Sequence, residues 1–399
     1  MSAAPSDAAA IPPELMDESE QEAEKRVTSL ELFFDLVFVF AITQVTGFVS
    51  LDPTWGRLLE GVAILSVLWF AWSGYAWLGN SADAEDGFVR LLMLAAMAAM
   101  LIASLAVPHA FGSDALTFGV AYFVVRAFHI GTYALVARAE GDAELGRVVA
   151  RLASTTMPAA AILVLAGAVE GGTARSLCWV LALLVDYGGI LARGVEGWRI
   201  NPGHFAERHG GVVIIALGES VVSLGVGADR LPLDVGVMAG AVLGIAVAAA
   251  LWWAYFDVVA VVGERRLRQA KSLSQVLIAR DSYTYLHLPM VAGIVVFAIG
   301  VKRTLAGLGS SLTAVEAFAL CGGVALYLIA MSAFKRRNIG TFNRQRLVVA
   351  AFLLAFFPAA TALPSLASLA VVAAASCGLI AFEVTRYSES RQRIRGGPA

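Results

Sequence analysis

The sequence predicts an all-α fold: a polytopic transmembrane helical bundle of about twelve helices in two parallel six-helix repeats. Three observations lead to this fold class. The first is composition, because 59% of the 399 residues are hydrophobic and only 15% are charged, which is too little polar surface for a soluble protein of this size. The second is a series of long apolar runs, and the third is a similarity between the two halves of the chain.

The apolar runs are long enough to cross the hydrocarbon core of a membrane. That core is about 30 Å thick and takes about 20 helical residues to span. Twelve such runs follow one another along the chain: 29–50, 58–79, 89–108, 115–137, 147–168, 174–193, 209–228, 233–262, 277–301, 313–334, 346–363 and 365–385. Little of the chain is left for a soluble domain.

The remaining segments define the predicted domain organisation. Residues 1–28 are rich in alanine, proline and acids, which predicts a disordered cytoplasmic tail without a cleavable targeting peptide. We expect the first repeat at 29–193, a cytoplasmic linker at 194–204, the second repeat at 205–385 and a basic cytoplasmic tail at 386–399.

Similar short stretches recur in order, always six runs apart. The pairs are LWFAW at 68–72 with LWWAY at 251–255, GVAYFVV at 119–125 with GVALYLI at 323–329, and VVARLASTTMPAAA at 148–161 with VVAAFLLAFFPAAT at 348–361. Because six is an even number, both halves enter the membrane in the same direction. A parallel repeat of this kind places the first and seventh helices at equivalent positions about a shared axis.

Lysine and arginine are distributed unevenly between alternate loops. The two termini and every second loop carry 23 of the 29 Lys and Arg residues, and the opposite loops carry 5. Positively charged loops stay on the cytoplasmic side of a membrane. We therefore predict a multi-pass protein of the inner (plasma) membrane with both termini in the cytoplasm.

The first run contains two carboxylates within the stretch RVTSLELFFDLVFVFAITQV of residues 26–45. Thr28 and Glu31 have the spacing of a capping box, which would account for Glu31 structurally, and a functional role is the alternative. Asp35 lies one turn deeper on the same helical face, beyond the reach of a cap. This position favours a functional or ion-paired role for Asp35. Glu207 occupies the place of Glu31 in the second repeat.

Other charged residues lie near the middle of the predicted spans, where an uncompensated charge costs roughly 2.5–3.5 kcal/mol. Glu219 is twelve residues beyond Glu207, or roughly 18 Å deeper in the membrane. It belongs either to a structural ion pair or hydrogen-bonded acid, or to a site for a proton or another cation. Arg126, with His129 one turn on, cannot lose its proton and needs an anion. Asp186 and Glu219 are the candidates for that anion.

Three further titratable residues lie nearer the predicted cytoplasmic ends of the spans, and they are secondary candidates. Asp257 and Asp281 are explained by interfacial anchoring as readily as by function. His287 belongs to the one residue type that titrates near neutral pH, but a single histidine is more often simply hydrogen-bonded.

We predict neither a metal nor a cofactor. His204, another secondary candidate, shares a helical face with Glu207, but His209 points elsewhere and the HExxH pattern is absent. The three cysteines lie in separate apolar runs without CxxC spacing. The chain has no P-loop, no GxGxxG before a helix and no GxSxG, so we predict no enzymatic activity and no nucleic-acid partner.

Two motifs carry a resemblance to a known family. VTSLELFFDLVFVFAIT, followed far downstream by HFAERHGGVVIIALGESVV, resembles the bacterial low temperature requirement A (LtrA) family over nearly all of the chain after the acidic tail. The matching residues are Glu31, Phe34, Asp35, His204, Glu207, Arg208, Gly218 and Glu219. The resemblance implies a polytopic bacterial inner-membrane protein named for growth in the cold, with no molecular activity generally established.

A fainter likeness joins the first motif to the lysosomal potassium-channel family, whose first helix carries Phe-Ser-Asp. The present chain has Phe34 in place of that serine and no such motif in the seventh run. Potassium selectivity is therefore not carried over.

The predicted function is that of a transporter or channel for a small ion, a proton or another cation. We expect Glu31 and Asp35 to converge with Glu207, Arg208 and Glu219, because equivalent helices of a parallel repeat meet about its axis. The alternative is a non-transporting protein that supports envelope function or growth at low temperature through lipid or protein contacts; an intramembrane enzyme is a third reading. The expected partners are the lipid bilayer and the ion, and a homo-oligomer is left open.

Overall fold

The computed structural model describes residues 26–82, 86–229, 231–389 and 391–392, and these residues are helical almost throughout. The predicted tail 1–28 lies outside the described residues except for its last three positions. The first half of the chain forms α1 (Ser29–Leu51), α2 (Trp55–Ser81), α3 (Gly87–Ala106), α4 (Ala115–Ala139), α5 (Ala143–Ala168) and α6 (Gly172–Arg193).

The second half of the chain forms eight helices and a π-helix. They are α7 (Pro202–Ala228), α8 (Val235–Phe256), α9 (Val259–Gln269), α10 (Ser272–Ile278), α11 (Leu286–Ala306), α12 (Ala314–Ile339), α13 (Arg344–Ala360) and α14 (Ser365–Arg386), with the π-helix Ala279–Tyr285 between α10 and α11. Two predicted runs are therefore composite: 233–262 comprises α8 with part of α9, and 277–301 begins at α10 and continues into α11.

Eleven segments of the described chain are long and apolar enough to cross a membrane. The all-α polytopic bundle is thereby confirmed. The remaining predicted run, 346–363, corresponds to α13, whose 17 residues extend about 25 Å and fall short of the hydrocarbon core. α13 ends at Ala360, and the chain turns before α14 begins at Ser365. Pro364 lies immediately before α14 and, because it lacks an amide donor, does not continue α13.

Two predicted boundaries need correction. α7 begins at Pro202, seven residues before the predicted run, because Asn201 caps it by accepting from the amide of His204 at 3.2 Å. The predicted loop between the eighth and ninth runs is mostly helical, since α9 extends through the basic stretch to Gln269. An ion pair four residues apart, Glu264 with Arg268 at 2.7 Å, supports this helix.

The same neighbour relations hold in each half. In the first half α1 packs on α2 and α3, and further contacts join α3 to α4, α4 to α5, α5 to α6, and α2 to α6. In the second half α7 packs on α8 and α11, and further contacts join α11 to α12, α12 to α13, α13 to α14, and α8 to α14. The parallel duplication itself stays a prediction, which superposition of the two halves tests.

The segments α2, α10–α11 and α12 are the most buried spans, and glycines bring α11 and α12 close together. A Cβ atom on Gly293 would lie 2.7 Å from the carbonyl oxygen of Gly323. A Cβ atom on Gly323 would lie 2.8 Å from the Cα atom of Phe297. Because neither glycine has a side chain, the two backbones approach directly, as small residues allow in membrane helix pairs.

The π-helix Ala279–Tyr285 joins this core to α2. Pro289 in the first turns of α11 lacks an amide donor, so it cannot close the hydrogen-bonding pattern of the preceding turn. The carbonyl oxygen of Thr284 instead accepts from Nε1 of Trp69 at 2.8 Å, and its hydroxyl accepts from Nε1 of Trp77 at 2.8 Å. A backbone irregularity is thus satisfied by tryptophans of the neighbouring span.

Candidate functional site

Glu31 lies where the start of α1 meets the start of α7. The amide of Thr28 donates to its Oε2 at 2.9 Å, and the amide of Glu31 donates to Oγ1 of Thr28 at 3.3 Å, so the predicted capping box is present. The same carboxylate lies 3.0 Å from Nε2 of His204 and 3.5 Å from Nη1 of Arg208. Gly79 of α2 makes room for it, because a Cβ atom there would collide with Oε1. Capping and ion pairing therefore coexist.

Asp35, one turn further along α1, is held by Arg208 and Trp72. Nη2 of Arg208 donates to Oδ1 at 2.9 Å, and Nε1 of Trp72 donates to the same oxygen at 2.8 Å. The guanidinium of Arg208 also lies over the Trp72 ring, 5.7 Å from its centroid. All three side chains are buried. One arginine therefore faces two buried carboxylates, Glu31 and Asp35.

A cavity of about 420 Å³ opens beside these residues, between α1, α7, α8 and α9. Asp35, Glu207 and Glu264 line it together with Arg208. Glu207 also accepts from the amide of Val27 at 3.3 Å, which ties the chain before α1 to α7. Asp35 pairs with Arg208, and Glu264 pairs with Arg268. The acidic character of the lining therefore comes chiefly from Glu207.

Glu219 forms a separate cluster deeper along the same pair of helices. Oγ1 of Thr43 donates to its Oε2 at 2.6 Å, and Oγ of Ser223 donates to its Oε1 at 3.1 Å. Lys302 of α11 interacts with Glu219 electrostatically. Thr43 is eight residues beyond Asp35, or about 12 Å along α1. The predicted convergence of Glu219 with Asp35 in one place is therefore corrected to two clusters at different depths.

The interval between the two clusters is apolar. Phe38 and Ile42 of α1 and Val212 and Ala216 of α7 lie along it, and each has 0% exposure. These four side chains offer no polar group to replace the hydration shell of an ion.

Arg126 of α4 pairs with Asp186 of α6, one of its two predicted candidates. The distance from Nη2 to Oδ1 is 3.4 Å, and Nη2 also donates to Oγ1 of Thr156 at 3.1 Å. Nη1 donates to the carbonyl oxygen of Phe70 at 2.9 Å. Nε2 of His129 lies 3.0 Å from the carbonyl oxygen of a glycine of α2. This group lies within the first half, apart from the α1–α7 contact.

The secondary acids make ion pairs near the ends of the spans. Asp257 lies 2.6 Å from Nη2 of Arg391. Asp281 lies 2.7 Å from Nη2 of Arg280 and 2.9 Å from Nη2 of Arg337. Such pairing is what interfacial anchoring predicts for these two residues.

His287 is hydrogen-bonded at both ring nitrogens, as a single buried histidine commonly is. Nδ1 lies 2.9 Å from the carbonyl oxygen of Ser282, and Nε2 lies 2.8 Å from the hydroxyl of Tyr255. His209 packs edge-on against His287, with ring centroids 5.2 Å apart. Among the described residues, no group of three or more His, Cys, Asp or Glu side chains has an arrangement suited to a metal.

Sequence reasoning missed two hydrogen-bond donors, Trp72 and Tyr255. Trp72 donates to Asp35, and Tyr255 contacts His287. A signal was available, since the two residues end the repeated stretches LWFAW and LWWAY. Those stretches served only as markers of duplication, although a buried Trp or Tyr normally needs a polar partner.

The fold and these clusters define the class of protein: a multi-pass membrane protein with ion-paired side chains buried between its helices. The chain belongs to the family of bacterial low temperature requirement A proteins (LtrA), which matches residues 26–381. It is also similar to the uncharacterized protein RA0937 of Rhizobium meliloti (strain 1021), with 30% identity over 368 residues, covering 90% of this chain and 88% of the relative. No solved structure gives a significant match.

Proposed function

We propose that the protein moves a proton or another small cation across the membrane along the contact between α1 and α7. One observation carries this proposal: buried carboxylates lie at two depths of that contact, and the first of them borders an acidic cavity. Asp35 is 3% exposed and Glu219 is 2% exposed. Ionisable groups at such positions are expensive in a membrane and commonly mark ion or proton paths.

The acidic cavity supplies the first step. Its carboxylates raise the local concentration of cations, because a cleft lined by one sign of charge focuses the electric field. Asp35 lies at the wall of this cavity and already holds a cationic group, the guanidinium of Arg208. An arriving cation or proton competes with Arg208 for that carboxylate.

The deeper cluster supplies the second step. Glu219, Thr43 and Ser223 contribute one carboxylate and two hydroxyl groups. Oxygen ligands of this kind suit hard cations, and the same carboxylate can accept a proton. Lys302 interacts with Glu219 electrostatically. Its positive charge weakens the binding of a transported cation at Glu219, so that the cation is released again.

The apolar interval between the clusters acts as the barrier. Hydrophobic constrictions in channels prevent conduction by excluding water. Because Phe38 and Ile42 are fully buried against α2 and α7, an ion reaches Glu219 only after these helices shift. The arrangement therefore favours gated transport over a permanently open pore.

Flux into proteoliposomes tests this proposal. The purified full chain is reconstituted, and the uptake of H⁺, Na⁺ and K⁺ is followed with and without an imposed potential. We expect flux of at least one cation, with Asp35→Asn and Glu219→Gln each reducing it at least tenfold. Flux indistinguishable from that of empty vesicles across the whole cation panel would overturn the proposal.

The matched control is Glu316→Gln. Like Asp35, Glu316 is a buried carboxylate that pairs with an arginine: it is 4% exposed and its partner is Arg303. Glu316 belongs in addition to a capping box at the start of a span. It lies on α12, away from the α1–α7 contact. A loss of flux in this variant equal to that in Asp35→Asn would show that the effect is one of folding.

A second candidate function rests on a different property of the same residues. Oδ1 of Asp35 accepts from both Arg208 and Trp72, as expected if the cluster serves only to hold α1 against α7. The protein would then support the cell envelope through lipid or protein contacts without moving ions. Loss of thermal stability in Asp35→Asn, together with absence of flux in the unaltered protein, would favour this candidate.

A further inference from the structure

Each half of the chain contains a cavity bounded by its second, fourth, fifth and sixth predicted spans. The first cavity, of about 70 Å³, lies between α2, α4, α5 and α6. The second cavity, of about 370 Å³, lies between α8, α12, α13 and α14. Each is lined by four basic side chains: Arg126, Arg151, Arg193 and Arg280 in the first, and Lys335, Arg344, Arg346 and Arg391 in the second.

Two of the four basic side chains in each cavity make an ion pair of 3.4 Å or shorter with a described carboxylate, but only in the second cavity do the paired carboxylates belong to the lining. In the second cavity Glu383 and Asp257 belong to the lining, where they pair with Arg346 at 2.8 Å and with Arg391 at 2.6 Å. No carboxylate among the described residues lines the first cavity. Arg126 and Arg280 of the first cavity pair with Asp186 at 3.4 Å and with Asp281 at 2.7 Å, but these carboxylates lie outside the lining. The charged side chains that face the first cavity are therefore all basic.

The other two basic residues of the first cavity, Arg193 and Arg151, are weakly compensated. Arg193, at the exposed end of α6, makes no ion pair with a described carboxylate. Arg151 reaches only the exposed Glu196, with 3.8 Å between their charged atoms. Exposed pairs of that kind contribute little free energy. An incoming anion therefore meets at least two arginines that are weakly compensated.

Two buried nitrogens of the first cavity lack hydrogen-bond partners. Nε of Arg126 is a donor, whereas Nδ1 of His129 is an acceptor, because Nε2 of the same ring donates to the carbonyl oxygen of Gly74. Both nitrogens are inaccessible to solvent and have no partner among the described residues. Both residues are 1% exposed and belong to the cavity lining. Buried polar atoms are nearly always paired with protein, water or a ligand, and a cavity of this size has room for a few water molecules or one small anionic group.

The surroundings favour an anion that carries acyl chains. The remaining lining includes the apolar side chains of Leu152 and Ile190 and the indole rings of Trp77 and Trp198. Tryptophan is enriched where a membrane meets water. The adjoining α6 is the least buried of the candidate spans, with 17% of its apolar window inside the protein, so the cavity borders the lipid-facing side of the bundle.

We infer that the first cavity binds the phosphate headgroup of an anionic phospholipid. Basic pockets between membrane helices are known to hold such headgroups. The acyl chains would lie along the exposed face of α6. The second cavity, whose lining includes the carboxylates of Glu383 and Asp257, serves as the internal comparison.

The test is a titration of the purified full chain in neutral detergent with phosphatidylglycerol, followed by native mass spectrometry and by the shift in melting temperature. Phosphatidylcholine and inorganic phosphate are titrated in parallel. We expect phosphatidylglycerol to bind preferentially. Arg151→Gln and Arg193→Gln should each weaken its binding roughly fivefold, the effect of one basic residue near an anionic headgroup. Lys335→Gln and Arg344→Gln, in the second cavity, should change it less than twofold.

Three results would overturn the inference. Equal binding of phosphatidylcholine would show that headgroup charge is not recognised. Equal weakening by the second-cavity variants would remove the assignment to the first cavity. If millimolar inorganic phosphate displaced phosphatidylglycerol completely, the cavity would be assigned to a free anion instead of a lipid.

Discussion

Arg208 is the residue on which the α1–α7 contact depends most, because it faces two buried carboxylates. We predict that Arg208→Gln lowers the free energy of unfolding by about 3–5 kcal/mol, the usual cost of removing one partner of a buried ion pair. Trp72→Phe keeps a ring of similar shape but removes a hydrogen bond to a charged group, so it should cost about 1.5–3 kcal/mol. Thermal unfolding in detergent measures both effects.

The control for this prediction is Arg303→Gln. Arg303 also pairs with a carboxylate, that of Glu316, but its side chain is 38% exposed, so the loss should stay below about 1 kcal/mol. If Arg208→Gln unfolds no earlier than Arg303→Gln, the buried network contributes little to stability.

Residues were predictable from sequence where their interactions are local. The Thr28–Glu31 capping box follows from a spacing of three residues along one helix. The partner of Asp35 was harder to identify, because it depends on how α1 and α7 rotate against each other. The repeat placed the two helices together, but it did not show that Trp72 of a third helix would complete the cluster.

The close approach of α11 and α12 depends on glycines, and a single substitution tests this dependence directly. A Cβ atom on Gly323 would approach backbone atoms of Gly293 and Phe297 within 2.8 Å, and backbone cannot rotate away as a side chain can. We predict that Gly323→Ala destabilises the protein by about 1–3 kcal/mol, as overpacking does. The melting temperature in detergent gives the result.

Gly378 of α14 provides the matched comparison. It is also a glycine inside a membrane helix, but no atom lies within 4 Å of the position of its missing Cβ. Gly378→Ala should therefore be neutral or stabilise the protein by about 0.5–1 kcal/mol. Equal destabilisation by the two variants would show that helix packing is not the cause.

Whole elements were predictable by length and hydropathy, but their internal irregularities were not. The run 277–301 was read as one helix, and its π-helical start could not be deduced from apolar composition. Pro289 was a local signal for irregular backbone in that run. The shortness of α13 was likewise concealed, because Ala362 and Leu363 keep the sequence apolar beyond the end of the helix at Ala360.

The distribution of Lys and Arg predicts the orientation of the whole molecule in the membrane, and labelling tests this prediction directly. The native cysteines are replaced, and single cysteines are introduced by Ser113→Cys and Thr341→Cys, both in exposed loops. We predict that an impermeant thiol reagent labels the first in intact cells and the second only after lysis, because the basic loops face the cytoplasm. Labelling in the reverse order would invert the predicted topology.

The duplication of the molecule is tested by superposing α1–α6 on α7–α14. We predict that the six spans overlay in order without inversion, because neighbour relations and basic cavities recur in both halves. The sequence indicated the duplication through stretches such as LWFAW and LWWAY. It could not indicate that carboxylates line the second cavity and not the first, because Glu383 and Asp257 reach the second cavity only through the fold.

The π-helix before α11 determines how α11 is rotated about its own axis. Each residue of an α-helix turns the chain by about 100°. Deleting one residue between 279 and 285, and so restoring a regular turn, would rotate all of α11 by about that angle relative to α2. Gly293 would then no longer face α12, and larger side chains would meet its backbone. The π-helix therefore sets the rotation of α11 about its own axis. With this rotation the same segment faces the tryptophans of α2 and the glycines of α12.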